Sequence, residues 1–212
     1  TKDLKRNKLF NVKKMNIKKL FKEKNILIIN CDKENILSKK FFFKKIKKNY
    51  NSFAYTTIIK HKKFINNKIA AQFFTENGPL AFLPISEFET SIVYSVKNSK
   101  KINFEKTIIK YNKNYKITKI NPIQRFELES SNLRSYRYNN ILAFGDLLHK
   151  VHPLAGQGFN MNIRDIKILT DLIKFNLNHG LELNSSICNN FEKKTRHKNY
   201  LFSNGIDFIY EF

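Results

Sequence analysis

Between Gly145 and Asp165 the chain reads GDLLHKVHPLAGQGFNMNIRD, an acid, two histidines, a proline and two closely spaced glycines ahead of an apolar helical pattern. Asp146 follows NILAF, a short continuous apolar run that reads as a buried strand. An acid just beyond such a strand lies where open α/β sheets bind their ligands. A carboxylate only accepts hydrogen bonds, so it suits a polyhydroxylated chain such as a ribose or ribityl group. Gly156 and Gly158 lack a Cβ, which would let the backbone adopt positive φ and approach a flat ligand closely. The helix that follows aims free N–H groups and a partial positive charge back into the crevice. The combination specifies a cradle for an electron-rich ring system with a polyol tail, and reduced flavin, anionic along its N1 and C2 carbonyl edge, fits it.

Other chemistries are weighed against this one. Asp146, His149 and His152 recur at intervals of three and are metal-ligand types, but Pro153 interrupts any helix that would align them, and no metal ligand is assigned. His149 reads as a hydrogen-bonding member of the loop, and His61, His179 and His197 as surface residues. Asp165 after Arg164 suits an internal ion pair at the helix start. Asp32, which follows the apolar run KNILIIN, is placed either to meet a ligand or to cap the next turn.

The elements that must hold these residues are legible in outline. Lys24 to Asn30 is one buried strand and NILAF a second. Between them, SFAYTTIIKH, AAQFF, LAFLPIS, TSIVYSV and YKITKI read as an antiparallel sheet, with Asn66-Asn67 as a hairpin turn and Asn77-Gly78-Pro79 punctuating the next pair. NFEKTIIKYN predicts a crossing helix. Ile163, Ile166, Leu169, Leu172 and Ile173 recur at helical spacing, stopped by His179-Gly180. A further helix begins near Ser185-Ser186 and places Glu192 four residues before Arg196, a spacing that favours an ion pair. The fold class is α/β, α+β overall: α/β segments flanking an antiparallel insert, with divisions at 1–40, 41–128 and 129–212.

Forty Lys+Arg against seventeen Asp+Glu give a formal net charge of +23 over 212 residues. The abundance of Lys, Asn, Ile and Phe and the absence of Trp match AT-rich codon bias, and the lysines are scattered rather than gathered in one stripe. Specific nucleic-acid recognition is therefore not expected. The alternative from another class is a basic RNA- or anionic-lipid-binding protein on a degenerate version of the same fold. Cys31 and Cys188 fit no metal or redox spacing, so reduced thiols in a cytoplasmic setting are the expectation. The chain opens without Met and ends within an apolar helical pattern, so it reads as a piece of a longer protein.

The stretch from Gly145 to Asp165 is similar to the second FAD motif of the flavin-dependent aromatic hydroxylases, and His-Pro-Leu-Ala-Gly-Gln-Gly with a following Asn resembles most the ubiquinone-biosynthesis hydroxylases. FFTENGPLAFLPIS and FEKKTRHKNYLFSNGIDFIY resemble further stretches of the same proteins, in the substrate-domain sheet and the next helix. The resemblance implies a Rossmann-like FAD-binding domain, in segments 1–40 and 129–212, around a substrate domain at 41–128. It implies that Gly145 and Asp146 hold the ribityl chain and Pro153 offers a carbonyl beside the ring. Gly158, Phe159 and Asn160 would meet the pyrimidine edge, Gly156 would be a further cofactor-binding residue, and Gly78 and Pro79 would lie toward the substrate. Asp32 falls where the family has an Asp-Gly pair touching FAD, with Lys33 replacing the glycine. The implied activity is an FAD-dependent monooxygenase using NAD(P)H and O2 on an aromatic ring, most specifically a polyprenyl phenol or quinone precursor; another aromatic or prenyl substrate shares the motif. A peripheral membrane or biosynthetic-complex association is the corresponding expectation for partners. The Gly-x-Gly-x-x-Gly turn that holds the pyrophosphate in that family is not in this sequence, so this piece alone is expected to bind FAD poorly.

Overall fold

A computed structural model describes residues 2–13, 26–97, 102–151 and 157–211. In chain order these form α1 (Lys2–Arg6), β1 (Ile28–Asn30), α2 (Ile36–Phe41), β2 (Lys45–His61), β3 (Ala71–Thr75), β4 (Gly78–Pro84), β5 (Glu89–Lys97), α3 (Phe104–Tyr111), β6 (Ile117–Ile120), β7 (Gln124–Leu133), β8 (Arg137–Tyr138), β9 (Ile141–Ala143), a 3-10 turn (Gly145–Leu147), β10 (His149–Lys150), α4 (Gln157–Asn178) and α5 (Ser185–Glu211). The class is mixed α/β with a large antiparallel sheet. Two compact units form: Thr1–Lys44 with Leu133–Leu148 and Phe159–Leu201, and Lys45–Asn132 with His149–Gly158 and Phe202–Phe212.

In the first unit, β1 lies parallel to β9, with Ile28 opposite Ile141 and Asn30 opposite Ala143, and β8 pairs antiparallel on the far side of β9. Ile141, Leu142 and Ala143 are wholly buried among Leu37, Phe42, Leu169, Leu172, Ile187 and Phe191. Covering on both faces explains why this strand is a continuous apolar run rather than an alternating one. Asn30, the last residue of β1, is buried; its Nδ2 donates to Ser38 Oγ at 2.8 Å, and its Oδ1 accepts from Asn35 Nδ2 at 2.6 Å. Asn35 in turn caps α2, its Oδ1 accepting from the Ser38 amide at 2.9 Å. The strand end thus fixes the start of the helix.

Two ionisable groups in this core set an alkaline limit. Burial pushes the Tyr136 hydroxyl up to about 12 from 10.0, outweighing its hydrogen bond with Asn199, and burial pushes the Cys188 thiol up to about 12 from 9.0. Both are neutral when protonated, so the folded state holds these protons more tightly than the unfolded one. Their contribution is complete below pH 9 and is lost as pH rises toward 12. Urea midpoints are expected to fall steadily across that window, and Cys188→Ala to flatten its lower part; a midpoint independent of pH from 9 to 12 would contradict this.

In the second unit, the seven-stranded sheet runs β10-β7-β2-β5-β4-β3, with β6 also paired to β2. Strand β5 alternates strictly, burying Thr90, Ile92, Tyr94 and Val96. Ile59, Leu80 and Phe82 join these on the face that α3 covers with Phe104 and Ile108. Helix α3 forms despite its β-branched residues because Asn103 Oδ1 accepts from the Lys106 amide at 3.0 Å and the apolar pair seals one side.

One sequence expectation is corrected, and one strand is new. Asn66-Asn67 is not a hairpin turn, since β2 and β3 are separated in the sheet by β5 and β4; Asn66 instead takes φ +63° in a connecting loop. QRFELESSNL was not anticipated as a strand, yet it forms β7 and pairs with β10. Its first four residues are exposed, which erased the apolar alternation that marks a strand. No helix among the described residues is long and apolar enough to cross a membrane.

Candidate functional site

The carboxyl ends of the two parallel strands set the site. The Phe144 amide donates to the Asn30 carbonyl at 2.9 Å, keeping the chains together one residue past the ladder. Beyond that point the first chain continues to Asp32 and the second to Asp146, so both acids leave neighbouring strands at the same end. Gly145 takes φ +65°, the left-handed region that suits glycine, and turns the chain out of β9 into the 3-10 turn. Its neighbour Asp146 is exposed as a result.

Asp146 Oδ1 accepts from Asn162 Nδ2 at 3.2 Å, which ties the acid to α4. Asn162 stands in the same stretch of sequence but was not singled out, because only the side-chain direction along α4 shows that it reaches the acid. Asp32 Oδ1 accepts from the Glu34 amide at 2.8 Å, so Asp32 caps its own turn at the surface.

Helix α4 begins at Gln157, so the positive end of its dipole lies at this turn. Phe159, 71% exposed, and Asn160, also exposed, stand on this first turn. Gly158 corrects one expectation: it lies inside the helix and is not among the positive-φ glycines. A Cβ there would sit 3.5 Å from Val151 Cγ2, an ordinary contact. Positive φ belongs to Gly145. Pro153 and Gly156, with His152, lie outside the described residues.

The buried face of α4 carries Met161, Asp165, Leu169, Leu172 and Asn176. Ile163 and Ile166, assigned to the apolar stripe from sequence, are half exposed, and the stripe instead includes a charge. Asp165 is 1% exposed, accepts from Asn199 Nδ2 at 3.1 Å and lies 3.7 Å from Arg164 Nε. Arg164 also donates to Asn199 Oδ1. On α5, Glu192 accepts from the Tyr136 amide at 2.9 Å and pairs with Arg137 and Arg196. These contacts lock α4 against α5, so the turn carrying Phe159 and Asn160 starts from a fixed helix.

Gly78 and Pro79 open β4 in the second unit, where Thr75 and Gly78 close a tight hairpin. Among the histidines, His179 and His197 are exposed, while His149 is buried. His61, expected at the surface, is buried against Tyr115, with Nε2 3.1 Å from Thr90 Oγ1 and Nδ1 2.9 Å from the Lys62 carbonyl. Of the phenylalanines, Phe42 and Phe82 are core, whereas Phe43, Phe74 and Phe88 are exposed.

Residues 97–180, which carry the Asp146 turn and all of α4, match a known family. The family is described as FAD binding domain, and the likeness to it is confined to these residues. The chain is similar to 3-demethoxyubiquinol 3-hydroxylase of Escherichia coli K12, at 26% identity over 149 residues, covering 66% of this chain and 38% of that protein. It is also similar to the mitochondrial ubiquinone biosynthesis monooxygenase COQ6 of Homo sapiens, at 25% identity over 180 residues, covering 65% and 38%. The chain thus spans less than two fifths of the length of these relatives. Among solved structures it shares its fold with PqsL, a probable FAD-dependent monooxygenase from Pseudomonas aeruginosa, with TM-score 0.61, 15% identity and coverage of 85% and 53%. The myxobacterial chondrochloren halogenase CndH matches with TM-score 0.62, 14% identity and coverage of 88% and 46%.

Proposed function

We propose that this chain is the flavin-ring portion of an FAD-dependent hydroxylase that uses NAD(P)H and O2 to hydroxylate an aromatic ring, a polyprenylated phenol or quinone precursor. The observation that carries the reading is Asp146, exposed past β9 and tied by Asn162 to the start of α4, where Phe159 and Asn160 are exposed. This donor and acceptor set fits FAD. A carboxylate accepts from ribityl hydroxyls, and helix-start amides suit a carbonyl-rich, anionic ring edge. The curated relatives, hydroxylases of ubiquinone biosynthesis, support the substrate class.

When bound, the flavin supplies the redox chemistry, taking electrons from the nicotinamide and delivering oxygen to the ring. The chain's part is to hold and polarise it. Asp146 is the ribityl acceptor, with Asn162 orienting its carboxylate. The amides of Gly158, Phe159 and Asn160 would stabilise negative charge at the pyrimidine edge. Gly145 turns the chain toward the acid; Asp32 lies beside Asp146 in strand order, and Gly78 and Pro79 belong to the substrate side. No side chain is assigned as a general base, because oxygen delivery to an electron-rich phenol is the cofactor's work.

The full-length protein, purified with added FAD, is expected to show a flavin visible spectrum and NAD(P)H oxidation stimulated by a polyprenylated phenol. A colourless protein without FAD-dependent NAD(P)H oxidation would reject the reading.

A further inference from the structure

The second unit contains a cavity of about 280 Å³ on the sheet face that α3 covers, lined by Phe73, Phe82, Tyr111, Tyr115 and Ala71, with Phe64, Ile65, Asn67 and Ile69 of the preceding loop. Its size is near the lower end for small-molecule sites, roughly 300 Å³, which limits an occupant to one or two rings. The walls are aromatic and mutually braced. Phe82 stacks on Tyr115 at 6.1 Å with an interplanar angle of 14°, and Phe73 meets Phe82 edge-on at 5.8 Å. The loop is pinned from behind. Asn67 Nδ2 donates to the Ser86 carbonyl at 2.7 Å, and its Oδ1 accepts from the Tyr115 hydroxyl at 2.9 Å. The space is therefore pre-formed, and the polar atoms at its back are already engaged.

At the mouth the chemistry is asymmetric. Ile65 and Ile69 are 68% and 82% exposed, an apolar rim in water. Lys113 stands with Nζ 5.9 Å from the centre of the Phe73 ring, and no lining residue is acidic. Apolar ring walls call for a flat apolar body, and a lone ammonium at the rim calls for one negative charge. We propose that this cavity is a binding site for a monoanionic aromatic acid, its ring between Phe73, Phe82 and Tyr115 and its carboxylate on Lys113. The site lies wholly within the second unit and does not rest on the flavin reading.

The test uses 2-naphthoate as the probe and 2-naphthamide as its uncharged counterpart, titrated into the full-length protein by calorimetry and by methyl NMR. Naphthoate is expected to bind one to one and to shift the methyl signals of Ile65, Ile69 and Ala71, with the amide at least about tenfold weaker. Lys113→Ala is expected to weaken naphthoate about tenfold and leave the amide within about twofold. Ala71→Phe, which fills the cavity, is expected to abolish binding of both. The methyl shifts test the site in the unaltered protein should that variant not fold. The proposal is overturned by absence of binding at millimolar probe, by binding without shifts at Ile65, Ile69 and Ala71, or by equal affinity for acid and amide. Loss of flavin binding in an Asp146→Ala variant that still takes up naphthoate would leave it standing.

Discussion

Asp146→Ala is expected to weaken FAD binding by about 10- to 100-fold, the loss of hydrogen bonds to a charged acceptor worth roughly 1.5–3 kcal/mol. The variant should fold normally, because Asp146 is exposed and the turn is set by the backbone of Gly145 at φ +65°. Flavin fluorescence titration of the full-length protein, beside a melting curve, separates the two effects. Asn162→Ala removes only the 3.2 Å contact that orients the carboxylate and should fall between the parent and Asp146→Ala. An Asp146→Ala protein with parental FAD affinity would place the ribityl chain elsewhere.

The second large effect is on stability. At Gly78 an added Cβ would lie 2.1 Å from the Ser95 carbonyl oxygen, and φ is +136°, where L side chains are strained. Flanking strands β3 and β5 hold this position from both sides, so the clash is with ladder backbone rather than with a movable side chain. Gly78→Ala is expected to cost about 4 kcal/mol or more, combining backbone strain with displacement of a central strand. For a chain of this size that lowers Tm by about 10 °C. Glu76→Ala, in the exposed turn of the same hairpin, should stay within about 0.5 kcal/mol of the parent. A melting temperature unchanged by Gly78→Ala would show that β4 can shift away from Ser95. The same glycine proposed for the substrate side thus has a structural duty of its own, and activity loss in its variants must be read with their stability.

The flavin stretch was legible because its chemistry is local. Strand, acid, glycine turn and helix follow one another within Asn140 to Asp165, and the residue types state what each can donate or accept. The strands of the middle sheet were legible where alternation was strict, as in β5, and invisible where a strand begins in exposed residues, as in β7. Ile163 and Ile166 misled because period alone gives a helix but not which stripe is covered; the covered one contains Asp165 and Asn176, whose partners lie far along the chain or past the helix end.

By itself the sequence determined the α/β class, the antiparallel insert, the acid at the end of a buried strand and the helix behind it. These follow from periodicity and from chemistry carried by neighbouring residues. Only the tertiary structure decided that Asp32 and Asp146 leave adjacent parallel strands and that Asn162 meets Asp146. It likewise decided that Asn30 anchors α2, that Asn199 donates to a buried Asp165, and that aromatic residues on β3, β4 and the segment after α3 enclose a cavity. Each of these depends on strand order, register or side-chain direction, which are set by packing over the whole unit and not by any short run of residues.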